Sequence, residues 1–489
     1  MADKSLIKNA FYSFMKAFLT LFFPLISFPY ASRILLPEGI GKVNFALTFV
    51  TYFTIISNLG ITTYATRECS KLKNNPIQVA KFSKEILSIH ITSTCISIIL
   101  FFIAFFSLKS LIPYRTLLLI FSTHIVLNFM GMDWLYYAFE EFKYITLRSF
   151  IFQSIALIYL FIFVKEKNDI NHYAVFGIIS SSGSYICNFI YSRKLINYRI
   201  KVNLEIKKHI PFIFTFFGMS VVTSIYSVFD TTMLGFLSDD YQVGLYSASL
   251  KITKLTIGLF SAISAVLLPR LSILIKNNQL NEFSTLIKKT LQIILLISIP
   301  IYFGLTLLSK PIILIFSGNN YIEAVPVMNT MLPIIIFMSV SSILGTQVLP
   351  AISKEKIALV SYIFGSVINI SLNFIFIPKL GAIGAAIGTF FAEFIIMLVQ
   401  FIYLHKVSFN KEIFITLIQS MFASSIMYII LLFISNFIHN ILLNIIILTL
   451  LGIIIYSILL FLLKNKIYNE TINILEQKIR NRLWKKSDI

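Results

Sequence analysis

Fourteen hydrophobic segments, each long enough to cross a bilayer, fill the chain between Phe11 and Leu463. A transmembrane helix needs roughly 20 mostly apolar residues. Backbone polar groups cannot face lipid unpaired, and these segments are too long and too uniformly apolar for barrel strands. We therefore predict an all-α polytopic membrane protein of about 14 transmembrane helices. The predicted spans are residues 11–32, 43–65, 86–108, 116–138, 147–164, 173–192, 210–236, 243–268, 290–308, 327–349, 357–377, 381–404, 413–434 and 441–463.

The loops between these spans are alternately rich and poor in basic residues. With the N-terminus inside, the cytoplasmic segments hold 30 Lys and Arg residues, the outer turns hold eight, and the spans hold Lys16, Lys251 and Lys254. Cytoplasmic loops carry the excess of Lys and Arg in membrane proteins. The pattern predicts a multi-pass inner-membrane protein with both termini in the cytoplasm. The abundance of Ile, Asn and Lys, which is typical of an AT-rich coding region, favours a bacterial membrane.

Composition excludes a large soluble domain and argues against nucleic acid as a partner. Of the 489 residues, 57% are hydrophobic and 13% are charged, whereas charged residues make up about a quarter of soluble proteins. The net charge of +20 comes from short loops beside helix ends and not from one aromatic-studded face. We expect these residues to contact membrane lipids.

A weak internal repeat relates each residue n to residue n+203. Gly41 then matches Gly244, and Arg67 matches Arg270. Both copies have the same orientation, so they form a parallel repeat related by an axis along the membrane normal. We predict an N-terminal lobe of six helices (1–200), a C-terminal lobe of six helices (201–410), and a final helix pair with a basic cytoplasmic tail (411–489).

Five stretches, in the expected order, carry a family resemblance. They are Gly60–Glu68, the group Asp133–Trp134, Glu140–Tyr144 and Arg148, then Asp230–Gly235, Val243–Ala248, and Gly381–Ala386 with Glu393. The chain resembles the Wzx-type oligosaccharide-lipid flippases, the polysaccharide exporters of the multidrug/oligosaccharidyl-lipid/polysaccharide (MOP) superfamily. No single stretch is a catalytic signature, and the ordered set carries the likeness.

The resemblance implies a transporter and not an enzyme. It implies alternating access between two lobes that moves an undecaprenyl-diphosphate-linked oligosaccharide, such as an O-antigen or capsule repeat unit, from the cytoplasmic to the outer leaflet. The expected partners are that lipid-linked oligosaccharide, membrane lipids, and the glycan polymerase and chain-length machinery. We expect a monomer that does not bind nucleic acid.

Five basic residues are candidates for binding the substrate diphosphate. Lys251 and Lys254 lie three apart in helix 8 and share one face near the bilayer centre, where a charge costs roughly 2.5–3.5 kcal/mol and usually faces a cavity. Lys16 is a third candidate, although a lysine near a helix start can extend to the membrane surface. Arg33 and Arg67 suit phosphate through their planar fork, but terminal arginines also anchor spans.

Two carboxylates near mid-membrane, Asp230 and Glu393, are candidates for ion coupling. Each is alternatively a buried partner of Lys251 or Lys254. We predict no cofactor and leave proton or sodium coupling open, because the chain lacks a G-x-x-x-x-G-K-[ST] loop for ATP. Four residues around the turn between helices 4 and 5 are predicted to form a cytoplasmic gate or a plain structural latch: Asp133, Glu140, Glu141 and Arg148.

Other functions stay open at this point. Related branches of the superfamily move lipid II, teichoic-acid precursors or cationic drugs, and a drug or cation antiporter should have an acidic or aromatic cavity. A membrane glycan polymerase should have a large outer loop or an acidic outer site, whereas the longest outer turn, around residues 309–326, holds only Glu323 as an acid.

Overall fold

The computed structural model describes residues 2–201, 203–265, 267–405, 411–470 and 473. Within these residues every regular element is helical, which confirms the predicted all-α class. The α-helices are α1 Ala2–Asn58, α2 Ile61–Leu72, α3 Pro76–Ser107, α4 Arg115–Gly131, α5 Asp133–Ala138, α6 Phe142–Phe163, α7 Ile170–Ser182, α8 Tyr185–Ser192, α9 Ile210–Leu237, α10 Asp240–Ala265, α11 Leu267–Lys276, α12 Leu280–Phe316, α13 Ala324–Met331, α14 Ile334–Ile343, α15 Leu349–Ala351, α16 Glu355–Leu380, α17 Ala382–Tyr403, α18 Lys411–Ser435 and α19 Ile441–Leu462. Short 3₁₀ turns occupy Lys109–Tyr114, Ile206–Lys208 and Asn319–Tyr321, and a π turn occupies Leu344–Val348.

Many of these helices are long enough to span a membrane. In the part of the chain that the structure describes, 11 helical stretches are long and apolar enough to cross a bilayer. The first of them, Phe11–Leu72, contains two predicted spans. In addition, α9 and α10, of 28 and 26 residues, coincide with predicted spans 210–236 and 243–268. The exact number of spans, about 14, stays a prediction.

The first helix is interrupted at Leu36, whose φ of 61° and ψ of 173° are not helical. Pro37 follows, and a proline disfavours helical geometry in the residue before it. The Asn9 amide and the Lys73 ammonium both reach the Glu140 carboxylate, at 3.3 and 3.1 Å. The chain therefore starts near Glu140, turns at Leu36 and comes back to Glu140, and α1 contains the first predicted span and most of the second.

The second span ends earlier than predicted. Leu59 and Gly60 have φ values of 47° and 71°, so helical geometry stops at Asn58 and not at residue 65. A Cβ atom on Gly60 would lie 2.7 Å from the backbone of Phe216 and Phe217. Glycine is therefore required here twice, for its positive φ and for close packing. Arg67 consequently lies on a separate short helix, α2.

The described chain forms two compact units. Unit 1 comprises Met1–Ala248, Phe316–Tyr321 and Ile370–Ala385. Unit 2 comprises Ser249–Ile315, Ile322–Asn369 and Ala386–Ile489. One core of unit 1 surrounds Trp134 and Tyr136, and one core of unit 2 joins α12 to α18 and α19 around Met427 and Tyr456. The predicted lobes 1–200, 201–410 and 411–489 are defined by the sequence repeat, whereas the two units are defined by which residues pack together. The lobes therefore stay a prediction.

Candidate functional site

An ion pair in unit 1 joins two of the predicted gate residues. Both terminal nitrogens of Arg148, on α6, donate to Asp133 Oδ1 at 3.1 Å. Asp133 begins α5, and the Asn188 amide donates to the same oxygen at 3.4 Å. The guanidinium also lies 5.9 Å from the ring centroid of Tyr144. Only 6% of the Arg148 side chain is exposed, so the pair closely fixes α5 against α6. Its role as a latch stays a prediction.

Glu140 and Glu141 occupy the turn between the two helices that this pair joins. Glu140 has a φ of 60°, and its exposed carboxylate accepts from Lys73 and Asn9. Glu141 immediately precedes α6, and its carbonyl accepts the Ile145 amide. The structure therefore brings Glu140 to α1 and to the end of α2, whereas Asp133 pairs with Arg148.

Lys16 lies beside this group of residues. Its ammonium donates to the hydroxyl of Tyr137 at 2.5 Å and is 5.0 Å from the ring centroid. Tyr137 belongs to α5, the helix that begins at Asp133. Lys16 thus connects α1 to the predicted gate. It remains partly exposed, and its diphosphate-binding role stays a prediction.

The two arginine candidates are each bound to a neighbour on their own helix. A terminal nitrogen of Arg33 donates to the Pro29 carbonyl at 2.7 Å. Arg67 Nε lies 3.3 Å from Glu68, and 66% of the Arg67 side chain is exposed. The diphosphate-binding role predicted for both arginines stays a prediction.

Three helices of unit 1 meet at the buried carboxylate of Asp230, on α9. The Tyr246 hydroxyl donates to Oδ2 at 2.7 Å, and the Asn373 amide donates to Oδ1 at 2.6 Å. These donors come from α10 and α16. Two residues later, Thr232 Oγ1 accepts from the Tyr52 hydroxyl at 3.1 Å. An ionisable residue buried in a membrane-spanning region is a candidate for a functional site.

In unit 2, Lys251 is half-buried and Lys254 is exposed on α10. Glu393 is buried on α17, with 4% of its surface exposed. The same helix carries Gln400, whose amide accepts from Ser341 and donates to Ser361, both at 2.9 Å. Glu393 therefore belongs to a helix with a buried polar side. The alternative roles of Asp230 and Glu393 as lysine partners stay open.

The sequence analysis missed a network centred on Glu85, which has 1% of its surface exposed. Its carboxylate contacts His209 Nε2 at 2.7 Å and Lys208 Nζ at 3.3 Å, and it accepts the Glu205 amide at 2.8 Å. Tyr64 Oη lies 2.7 Å from His209 Nδ1. The available signal was positional: Glu85 and His209 each stand one residue before a predicted span, on the same side of the membrane.

The network lines a cavity of about 470 Å³ in unit 1, formed by α2, α3 and the start of α9. Lys81 and Lys208 both pair with Glu205, at 2.6 and 3.2 Å. These hydrogen bonds hold the pKa of Glu205 below its usual range. Burial alone would lower the pKa of Lys208, yet its bonds to Glu205 and Glu85 raise that pKa above the ordinary lysine range. The charges along the cavity therefore neutralise one another.

An apolar groove of about 580 Å³ lies in unit 2 between α12 and the final helix pair. Its lining includes Pro300, Gly304, Met427, Gly452 and Tyr456. A Cβ atom built on Gly304 would meet nothing within 4 Å. The groove therefore offers open apolar space beside membrane-spanning helices.

Comparisons with known proteins agree with this architecture. The model of the polysaccharide biosynthesis protein family matches residues 6–275, and the MatE model matches residues 215–375. The putative O-antigen transporter of Escherichia coli strain K12 is 26% identical over 373 residues, which cover 74% of this chain and 88% of the transporter. A probable low-salt glycan biosynthesis flippase of Haloferax volcanii is 28% identical over 181 residues, which cover 36% of this chain and 38% of that flippase.

Two solved structures share the fold. The lipid II flippase MurJ, in an inward closed conformation, is similar with a TM-score of 0.75 at 21% identity, covering 95% of this chain and 100% of MurJ. An inward-facing multidrug resistance transporter of the MATE family, within the MOP superfamily, gives a TM-score of 0.62 at 13% identity, covering 79% of this chain and 94% of that transporter.

Proposed function

The chain belongs to the polysaccharide biosynthesis protein family, as the resemblance predicted, and from this premise we propose that it is a flippase for a lipid-linked glycan. The proposed substrate is an undecaprenyl-diphosphate-linked oligosaccharide. It moves from the cytoplasmic to the outer leaflet by alternating access, with no catalytic step. The similarity to the putative O-antigen transporter, over 88% of that protein, supports the proposal.

The observation that carries the proposal is the apolar groove of unit 2. A polyprenyl chain is a long hydrocarbon, and it gains roughly 0.8 kcal/mol for each CH₂ group that is buried. The groove offers such a chain apolar side chains and unfilled space next to Gly304. A drug or cation antiporter, the second candidate, needs no groove for a lipid tail.

The diphosphate needs a cationic and hydrated path. In the idealised limit, moving an isolated ion from water into hydrocarbon costs on the order of 20 kcal/mol. Lys251 and Lys254 are the proposed contacts for the diphosphate. Lys16, Arg33 and Arg67 are proposed as further contacts at the two membrane surfaces, with Lys16 already held by Tyr137.

Asp230 is the proposed site of ion coupling, with Glu393 as the second candidate. The Tyr246 hydroxyl and the Asn373 amide hold the buried Asp230 carboxylate where α9, α10 and α16 meet. The carboxylate can therefore bind Na⁺ or H⁺ and release it when its helices move. Asp133 and Arg148 are proposed to latch the cytoplasmic side, where Glu140 and Glu141 occupy the adjoining turn.

The proposed location is the inner membrane of a bacterium, with both termini in the cytoplasm. A monomer is proposed to pass its cargo to the glycan polymerase and chain-length machinery. The bias of basic residues toward the predicted cytoplasmic loops supports this orientation.

Complementation of a flippase-null strain tests the proposal. Wild type, Lys251→Ala and Lys254→Ala are compared at matched membrane levels for lipid-linked glycan in the outer leaflet. Lys276→Ala is the control, because this exposed lysine lies in a predicted cytoplasmic loop. We expect wild type and the control to restore export and the two other variants to fail. If both of those variants export normally, the diphosphate lies elsewhere, and if wild type fails with several glycans, the antiporter becomes the better hypothesis.

A further inference from the structure

Gly41 on α1 and Gly244 on α10 pack backbone against backbone. A Cβ atom on Gly41 would lie 1.8 Å from the Asp240 carbonyl oxygen, and a Cβ atom on Gly244 would lie 2.1 Å from the Pro37 carbonyl oxygen. Backbone atoms within a helix cannot move aside as a flexible side chain can. Both positions therefore need glycine for space, which lets the helices approach closely.

This crossing has the form of a two-fold contact. Pro37 and Asp240 are separated by 203 residues, the same spacing as Gly41 and Gly244. The contact of Gly41 with Asp240 is therefore the symmetry image of the contact of Gly244 with Pro37. Such a self-complementary contact arises where two equivalent surfaces meet across a two-fold axis. The crossing thus lies where the two copies of the sequence repeat meet.

Two neighbouring contacts join corresponding helices, although their residues do not all share the spacing of 203. Gly39 packs against Ile170, at the start of α7. Gln242, which is 203 residues later, packs against Gly381, and its carbonyl accepts the Ala382 amide at 2.9 Å at the start of α17. These helices are the sixth and twelfth predicted spans. The correspondence therefore extends to these helices, whereas the exact spacing of 203 residues is that of the contacts of Gly41 and Gly244.

The crossing lies at the predicted outer ends of the second span (43–65) and the eighth span (243–268). The Tyr114 hydroxyl donates to the Asp240 carboxylate at 2.7 Å. The Asp239 carboxylate accepts the backbone N–H of Gln242 at 2.8 Å. These bonds fix the start of α10 where it meets α1. The contact between the two glycines itself has no interlocking side chains that must be withdrawn when the helices separate.

We propose that the Gly41–Gly244 crossing closes the outer side of the protein and is the point at which the two repeats part to release substrate outward. The inference rests on the alternating access of the proposed function. An alanine at either glycine overlaps a facing carbonyl, so it forces the two helices apart. Each single variant therefore favours the outward-open state.

The symmetry of the two contacts predicts how the two variants compare. Gly41→Ala and Gly244→Ala should shift the conformational equilibrium in the same direction and by similar amounts. The double variant should shift it by less than the sum, because one alanine already separates the backbones. Gly218→Ala is the matched control, since a Cβ atom there would meet nothing within 4 Å.

Distances between spin labels at Glu38→Cys and Ser238→Cys test the proposal. The labels are placed on the full chain in lipid vesicles, with Cys69, Cys95 and Cys187 replaced by serine. We expect a longer-distance population that is at least about twofold larger in each glycine variant and unchanged in Gly218→Ala. Unchanged distances in both glycine variants would overturn the proposal, and a shift in only one would overturn the symmetry.

A second measurement needs no glycine variant. A short thiol cross-linker between the same two cysteines should block glycan export, and a cleavable linker should restore export when it is cut. Full export with the cross-link in place would overturn the proposal. The distance measurement needs no glycan, so failure of the flippase assignment is distinguishable from failure of the crossing.

Discussion

His209 Nε2 lies 2.7 Å from the carboxylate of Glu85, and both side chains are almost completely buried. The contact attaches the residue before α9 to the first third of α3. It therefore fixes one end of the basic connection between the two predicted repeats. Tyr64 on the other side of the imidazole adds α2 to the same junction.

Removing the Glu85 carboxylate should destabilise the protein. We expect Glu85→Ala to cost about 2–3 kcal/mol, because it removes the acceptor of the Glu205 amide and the partner of buried His209 Nε2, and leaving a buried polar group unsatisfied costs roughly 1–3 kcal/mol. Glu68→Ala is the control, since this acid lines the same cavity but pairs with exposed Lys71 and Arg67. Exposed pairs contribute about 0–1 kcal/mol. Thermal unfolding in detergent compares the two, and equal losses would contradict the prediction.

The pH dependence of this junction follows from Glu205 and Lys208. Because the pKa of Glu205 is lowered by Lys81 and Lys208, its stabilising effect is present above the ordinary glutamate pKa of about 4.3. That effect is lost only as pH falls through the lower folded value. Because the pKa of Lys208 is raised, Lys208 stays charged below about pH 10. Its contribution to the ion pair is lost only as the pH rises further.

The difference in melting temperature between wild type and Glu205→Gln measures this effect. We expect a constant difference between about pH 5 and 9 that shrinks below about pH 4. Glu323→Gln serves as the control for removing an acid from another turn. A difference that already vanishes at pH 5 would show that these ion pairs do not stabilise the fold.

Asp230 should bind the coupling ion. If Na⁺ or H⁺ occupies this site, saturating ion should stabilise the wild type, by about 2.7 kcal/mol at 100 times the dissociation constant. We expect Asp230→Asn to abolish the stabilisation and Tyr246→Phe, which removes one donor only, to retain it. Melting curves with Na⁺ or K⁺ at several pH values distinguish the ions. If the ion still stabilises Asp230→Asn, the ion binds at another site.

A larger side chain in the apolar groove of unit 2 should weaken the binding of a lipid tail there. Gly304→Leu places a side chain in open space within the lining, so we expect binding of a polyprenyl phosphate to weaken about tenfold, or about 1.4 kcal/mol. Gly218→Leu is the control, because it also extends into open space but is not among the residues that line the groove. Native mass spectrometry of the lipid complexes measures both variants. Equal lipid binding by the two would contradict a tail site here.

The helices were predictable because hydrophobic length is a local property of the sequence. The turn at Leu36 follows from the adjacent Pro37, and Asp133 meets Arg148 across one short turn. The 124 residues between Glu85 and His209 and the 143 between Asp230 and Asn373 carry no comparable local signal. Those contacts depend on which helices pack together, and the break at Gly60 likewise depends on the backbone of Phe216.

The two glycines of the crossing each supply half of one self-complementary contact. In a symmetric homodimer, a single surface patch serves both sides of the interface. A chain of six helices paired with its own copy would therefore need only one such glycine. Duplication and fusion of its gene would deliver both glycines already matched, after which each half could diverge separately. Positions 41 and 244 thus point to an ancestor that worked as a two-fold dimer.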